Sequence, residues 1–304
     1  MARSPSPYSP ERAEVGLIAL AADKGAPGVT TAATALGAVW PRPVLVAECD
    51  PAGGDLVYRL PGEDGRMLNP DRGLLSLGAT ARRGLHPEQI YAHTQRLVGG
   101  LDVLTGLTHA EQAAGLTWLW GPLGRAFAAL PEADVLADCG RLGGHPQIND
   151  LIAEADLVVL FTRASLDHVA HLRERLALLP RGPERGVVVI ADPRSYRQAI
   201  DEVRRIVTAA SDRVAFVGGL AHDPKGAELL RGQWGGRLDR SLLIRTAREL
   251  AGRLVARVPV APGTAAPAEP AEPAGPAGSA APQSVRPAAD GSVVPRPRPA
   301  REGR

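Results

Sequence analysis

The sequence predicts an α/β fold, a doubly wound and mostly parallel sheet with helices on both faces. Seven short apolar runs rich in Val, Ile and Leu recur along the chain. Within each run the apolar residues follow one another without a polar alternation, the mark of strands buried on both faces. Amphipathic stretches of helical length separate the runs, and that order belongs to a layered α/β domain.

In chain order the strand candidates are VGLIALA (15–21), PVLVAEC (43–49), LDVLTGL (101–107), DVLAD (134–138), DLVVLFT (156–162), GVVVIAD (186–192) and VAFVGGL (214–220). The first has the length of a signal-peptide core. Glu14 adjoins it, a proline-rich stretch precedes it and a glycine loop follows, so it reads as a strand. Helices are expected near 30–39, 110–129, 147–155, 166–179, 195–209 and 241–257. The last of these carries Leu238, Leu242, Leu250, Leu254 and Val258 among arginines. That pattern fits a closing core helix with a solvated arginine face, and two alternatives stand beside it: a membrane-surface helix and a strip for non-specific DNA contact. Ligands in such sheets sit at the carboxyl ends of the strands, so the residues closing each run are the ones to examine.

The 304 residues are 44% hydrophobic and 22% charged, a globular composition. The net charge of +2 is too small to imply a nucleic acid or membrane partner by itself. Residues 1–12 are expected to be a disordered arm, 13–258 the folded domain, and 259–304 a disordered Pro/Ala-rich tail. The tail ends in PRPRPAREGR, which reads as a solubilising tip or as a docking strip for a partner. No apolar run approaches the roughly 20 residues of a transmembrane helix. The two cysteines, Cys49 and Cys139, argue against a disulfide framework and for a reducing cytoplasm. Lysine occurs at Lys24 and Lys225 alone, against 33 arginines. In that background a lysine inside a glycine loop is the basic residue of most interest.

The first run ends in DKGAPGVTT (23–31). Against the phosphate-loop pattern G-x-x-x-x-G-K-[ST], Asp23 replaces the first glycine, Gly28 fits, Val29 replaces the lysine and Thr30 fits. Against a variant with a lysine at the front, K-G-G-x-G-K-[ST], Lys24, Gly25, Gly28, Thr30 and Thr31 fit, while Ala26 and Val29 depart. The second run closes in ECDPAGGD (48–55) and the fourth in ADCGR (137–141), each delivering an acid, Asp50 and Asp138, beside a small-residue turn. Two acids and a threonine hydroxyl on one loop suit Mg²⁺ held through oxygens and waters. Helix capping is the plainer reading of Asp50, which precedes Pro51. The seven histidines show no metal-ligand spacing beyond His168 and His171, which read as a solvated helix face.

These segments, with GLLSLGATARRG (73–84) and LAHDPKG (220–226), resemble the ParA/MinD family of deviant Walker A ATPases. The resemblance implies a P-loop NTPase-like fold, ATP and Mg²⁺ as cofactors, and a homodimer sandwiching two nucleotides. It implies a nucleotide loop of Lys24, Gly25, Ala26, Pro27, Gly28, Val29, Thr30 and Thr31, with Lys24 reaching the partner's nucleotide. It implies metal binding by Thr30, Asp50 and Asp138, with Lys24, Asp50 and Glu48 serving the catalytic step. The family's loop lysine has no counterpart.

A loop lysine contributes roughly 1.5 to 3 kcal/mol of charge-assisted hydrogen bonding, so its loss weakens binding roughly 10- to 150-fold. Losing one donor to the transition state costs ~100- to 1,000-fold in rate. The expectation is a spatial organiser that binds ATP and hydrolyses it slowly or not at all. It would serve chromosome or plasmid partition, septum placement, or the positioning of a pilus or secretion ATPase. A nucleotide-free scaffold is the alternative, and a metabolic ATP-dependent ligase is a third class that Val29 counts against.

Overall fold

Every residue of the first strand, β1 (Leu17–Ala22), is buried. Its side chains divide alternately between two apolar layers, Leu17, Ala19 and Ala21 in one, Ile18, Leu20 and Ala22 in the other. A period-two strand covered on both faces must do this. The other strands are β2 (Val44–Glu48), β3 (Gln95–Arg96), β4 (Asp102–Leu104), β5 (Asp134–Arg141), β6 (Leu157–Thr162), β7 (Glu184–Ala191) and β8 (Val214–Ala221). They lie in the order β3-β4-β2-β5-β1-β6-β7-β8. All pairings are parallel except that of β3 with β4. This is the doubly wound sheet that the sequence predicts. The computed structural model describes residues 16–258, apart from 26, 144–145, 212 and 233–236. The expected arm at 1–12 and tail at 259–304 lie outside the described residues.

The helices are α1 (Val29–Gly37), α2 (Leu56–Arg59), α3 (Leu74–Ala81), α4 (Gln89–His93), α5 (Ala110–Ala114), α6 (Trp120–Ala128), α7 (Ile148–Ile152), α8 (Leu166–Leu178), α9 (Tyr196–Ala210), α10 (Pro224–Leu230) and α11 (Leu242–Val255). α1, α2 and α11 fill the layer that holds Ile18. α3, α6, α7, α8 and α9 fill the layer that holds Leu17. None of the helices among the described residues is long and apolar enough to cross a membrane.

The structure departs from the expected elements in several places, and α2, α3, α4 and α10 lie where no helix is expected. The helix expected over 110–129 is broken into α5, a 3₁₀ turn at Thr117–Leu119, and α6. The bend buries Leu116 and Leu119 against α3, where a Cβ on Gly78 would lie 2.8 Å from Leu116 Cδ2. β3 is too short to leave a periodicity. In α11 the buried stripe is Leu243, Ile244, Ala247, Leu250, Ala251 and Leu254, while Leu242 is exposed. The closing helix is therefore a core helix, as expected: Leu250, Leu254 and Val258 of the expected pattern are buried, Leu238 packs partly buried against the same layer, and Leu242 alone of them is exposed.

Arg253 of α11 and Arg257, two residues past its end, lie over the Phe216 ring of β8 at 5.5 and 4.9 Å from its centre. Arg253 also donates to Val217 O, and so does Arg204 from α9 on the other side of the sheet. The edge carbonyl of Val217, which would help template another strand, is thereby taken from both faces, and that of Ala215 accepts from Arg257.

At the amino ends of the central strands, buried Asp134 accepts four hydrogen bonds. Oδ1 accepts from Gly16 N and Arg42, and Oδ2 from Trp40 Nε1 and Arg42 Nε. This carboxylate ties the start of β5 to β1 and to the turn between α1 and β2. Asp134→Ala leaves a half-buried guanidinium and a buried indole N–H without it. The expected cost is about 3 kcal/mol or more, read as a lower urea midpoint at an unchanged slope.

Candidate functional site

The chain leaves β1 with β5 on one side and β6 on the other, the switch point of a doubly wound sheet, where the carboxyl ends open into a crevice. The loop of residues 23–28 fills this point between β1 and α1. Gly25 and Gly28 have φ of +69° and +100°, a left-handed conformation that side chains resist. Gly28 is the N-cap of α1, and no side chain caps that helix. The first amides of α1 therefore open toward the crevice, an arrangement that favours anions.

The front of the loop is tied to α8. Asp23 receives Arg175 Nε and lies 3.8 Å from His171 Nδ1. Lys24 Nζ is 3.6 Å from Asp167 Oδ2 and 3.4 Å from His171 Nε2, and Gly25 passes under His168. The two histidines that read as a solvated helix face thus lie against the loop. Val29 is buried in the apolar layer with Ala32, Ala33 and Leu36. Pro27 is buried, Thr30 and Thr31 are half-buried, and Ala26 lies outside the described residues.

Asp138 stands in the middle of the sheet, in register with Leu20 of β1 and Glu48 of β2. It is 1% exposed. The Gly140 amide donates to Oδ1 at 3.1 Å, whereas Oδ2 has no hydrogen-bond partner among the described residues. Burial pushes its pKa up to about 7, against the neighbouring Thr30 hydroxyl and the Gly140 amide, while Glu48 and Asp50 add to the rise. The Thr30 hydroxyl is near enough to act on the carboxylate yet falls short of hydrogen-bond geometry with Oδ2.

Asp50 caps its own turn through Ala52 N at 2.8 Å and abuts Gly140. A Cβ on Gly140, whose φ is +60°, would fall 1.9 Å from Asp50 Oδ2. The glycine of the ADCGR segment therefore lets the two acids sit side by side. Glu48 is occupied differently. Oε1 accepts from the amides of Asp55 and Leu56, and Oε2 from that of Gly106. Burial raises its pKa while those amides lower it. Gly54 and Gly106 leave the room its carboxylate fills. Its place is that of a brace holding the 50–55 loop to the end of β4.

Cys49 and Cys139 are free, fully buried and pushed well above the usual thiol range, first of all by burial. No group of three His, Cys, Asp or Glu side chains among the described residues has the spacing to hold a metal ion.

A cavity of about 200 Å³ lies beside the loop, lined by Pro27, Gly28, Thr31, Arg163, His222 and Asp223, among others. A larger cleft, about 470 Å³, lies at the amino ends of β2, β4 and β5 around Trp40, Arg42 and Tyr91. Its Trp40 and Arg42 serve the Asp134 brace, and it lies at the end of the strands away from the loop.

No protein-family model and no curated protein matches the chain. Solved structures do. A ParA family ATPase from Chlorobium tepidum TLS aligns with TM-score 0.61 and 18% identity over 78% of this chain and 98% of its own. The Pyrococcus furiosus cell division ATPase MinD aligns with TM-score 0.61 and 17% identity over 79% and 98%. The Pyrococcus horikoshii septum site-determining protein MinD, complexed with Mg-ADP, aligns with TM-score 0.57 and 16% identity over 79% and 96%. The fold is that of the ParA/MinD ATPases.

On this ParA/MinD fold the loop, Asp50 and Asp138, which the sequence singles out, come together at one crevice. Sequence reasoning missed the contacts of α8 with the loop and the place of Arg163, although Arg163 follows directly on the run that forms β6. The rule that strand-closing residues line the crevice would have found it.

Asp138 makes apo stability depend on pH. Between about pH 4 and 7 the folded chain holds a proton there that the unfolded chain has released, so stability falls as pH rises through that window. Asp138→Asn, without divalent cation, is expected to flatten that fall and to leave the variant more stable than the parent at pH 8. Thermal melts across the window measure it.

Proposed function

We propose that the chain is a ParA/MinD-like nucleotide-binding protein that holds Mg-ATP and hydrolyses it slowly or not at all, acting as a cytoplasmic spatial organiser. The observation that carries this reading is Asp138 Oδ2, buried and without a hydrogen-bond partner among the described residues, beside Thr30 at an uncapped helix N-terminus. A buried carboxylate oxygen left open is costly unless something completes it, and a hydrated magnesium ion bound to a polyphosphate does so. Mg²⁺ commonly takes one or two protein oxygens and completes its shell with water and phosphate, which suits a site without a three-ligand cluster. Thr30, Asp138 and Asp50 would hold the ion directly or through water. The amides of Gly28 to Thr31 would hold the phosphates. The bound cation would screen charge on the phosphates, and the residues of this chain would position them.

Val29 lies in the core and would supply no positive charge to the terminal phosphate, so turnover would be slow. Lys24 rests on the exposed side chains of Asp167 and His171. Exposed ion pairs of this kind contribute little, so a second phosphate-bearing copy can draw the lysine away. Nucleotide would then shift the population from monomer to a bridged homodimer. The dimer would position a partner such as a pilus or secretion ATPase, or bind DNA. The burial of Val29 in the apolar layer favours a second reading, a scaffold that has given up nucleotide.

Calorimetry with Mg-ATP on the full chain separates the two. Binding is expected in the micromolar range or somewhat weaker. Asp138→Ala should weaken it at least tenfold, and Lys24→Ala should leave it near the parental value while abolishing nucleotide-driven dimerisation in light scattering. Absence of binding at millimolar Mg-ATP would leave the scaffold.

A further inference from the structure

We propose that Arg163 supplies the phosphate-binding cation that the loop lacks at Val29, so that the anchoring charge comes from the end of β6. The inference rests on the nucleotide-binding reading above and names the residue that makes it work. Arg163 immediately follows Thr162, the last residue of β6, which pairs with β1 at the switch point. It is half-buried and lines the same cavity as Pro27, Gly28 and Thr31.

Its guanidinium has no ion pair or side-chain hydrogen bond among the described residues; Thr162 uses only its carbonyl. The carboxylate that shares the cavity, Asp223, is committed elsewhere. Its Oδ1 accepts from Gly226 N, and its Oδ2 from the amides of Leu242 and Leu243 at the start of α11. Other arginines around the loop are neutralised, Arg175 by Asp23 and Arg59 by Asp55. A half-buried guanidinium left without a counter-ion, beside a left-handed glycine and an uncapped helix N-terminus, is built to meet an anion. Its planar fork takes phosphate through two parallel hydrogen bonds, where a loop lysine would act as a point charge. Arg231 is the nearest rival. It ends α10 and faces Thr30 and Thr31 across a space of about 20 Å³, too small to admit a phosphate between them.

The test titrates a fluorescent ATP analogue with Mg²⁺, in competition with ATP, ADP and adenosine, against the full chain and its Arg163→Ala, Arg163→Lys and Arg231→Ala variants. Melting of each variant without ligand checks the fold. The expected result is that Arg163→Ala weakens ATP roughly tenfold or more, as loss of a charge-assisted pair does. Adenosine competition and the ligand-free melt should be unchanged, Arg163→Lys should recover part of the affinity, and Arg231→Ala should bind as the parent does. If Arg163→Ala binds ATP as tightly as the parent, the assignment is overturned and the nucleotide reading stands. A loss carried by Arg231→Ala instead would overturn the assignment in the same way. If the parent binds no nucleotide, the reading and the assignment fall together.

Discussion

A carboxylate enclosed at the centre of a parallel sheet sets the terms for everything near it. Asp138 is flanked by β1 and β2, and water reaches it hardly at all. A charge so placed is tolerated when it is protonated or completed by a cation. The neighbourhood is arranged around that choice. Gly140 turns its amide onto one oxygen and yields space to Asp50, and Glu48 is drawn away by three amides so that it does not compete for the same ground. The glycine loop and the start of α1 then present backbone donors and a hydroxyl on the remaining side.

Cations are distributed over this crevice in an unusual way. The position after Gly28 that would carry a lysine has become part of the apolar layer through Val29. The front lysine is held by α8 rather than by its own loop. Arginine elsewhere takes structural work: it holds Asp134 at the floor of the sheet, closes the β8 edge, and caps the carboxyl end of α8 through buried Arg185, which donates to Leu176, Leu179 and Pro180 carbonyls. An arginine-rich chain of this kind builds its frame from guanidinium groups, whose fork geometry suits carboxylates and carbonyls alike.

The seven apolar runs were legible because a strand buried on both faces leaves a continuous signal that needs no partner to interpret. β3, with two residues, leaves none, and the break after α5 follows from how Leu116 meets Gly78, a contact between segments far apart in sequence. α11 was legible as a helix and its later leucines as core residues, whereas the burial of Leu243 and Ile244 in place of Leu242 is decided by packing at its start. At the site, the loop and the acids stood out by spacing. What they touch did not: that Glu48 serves backbone amides, that Asp23 and Lys24 lean on α8, and that Arg163 faces the cavity are facts of tertiary approach.

The central claim is that this loop still receives phosphate after losing its lysine. Hydrogen–deuterium exchange on the full chain, with and without millimolar Mg-ATP, tests it residue by residue. The account predicts slowed exchange at the amides of Gly28 to Thr31 and at Gly140, with the amino ends of the strands unaffected. Unchanged exchange across residues 23–31 at that concentration would contradict it.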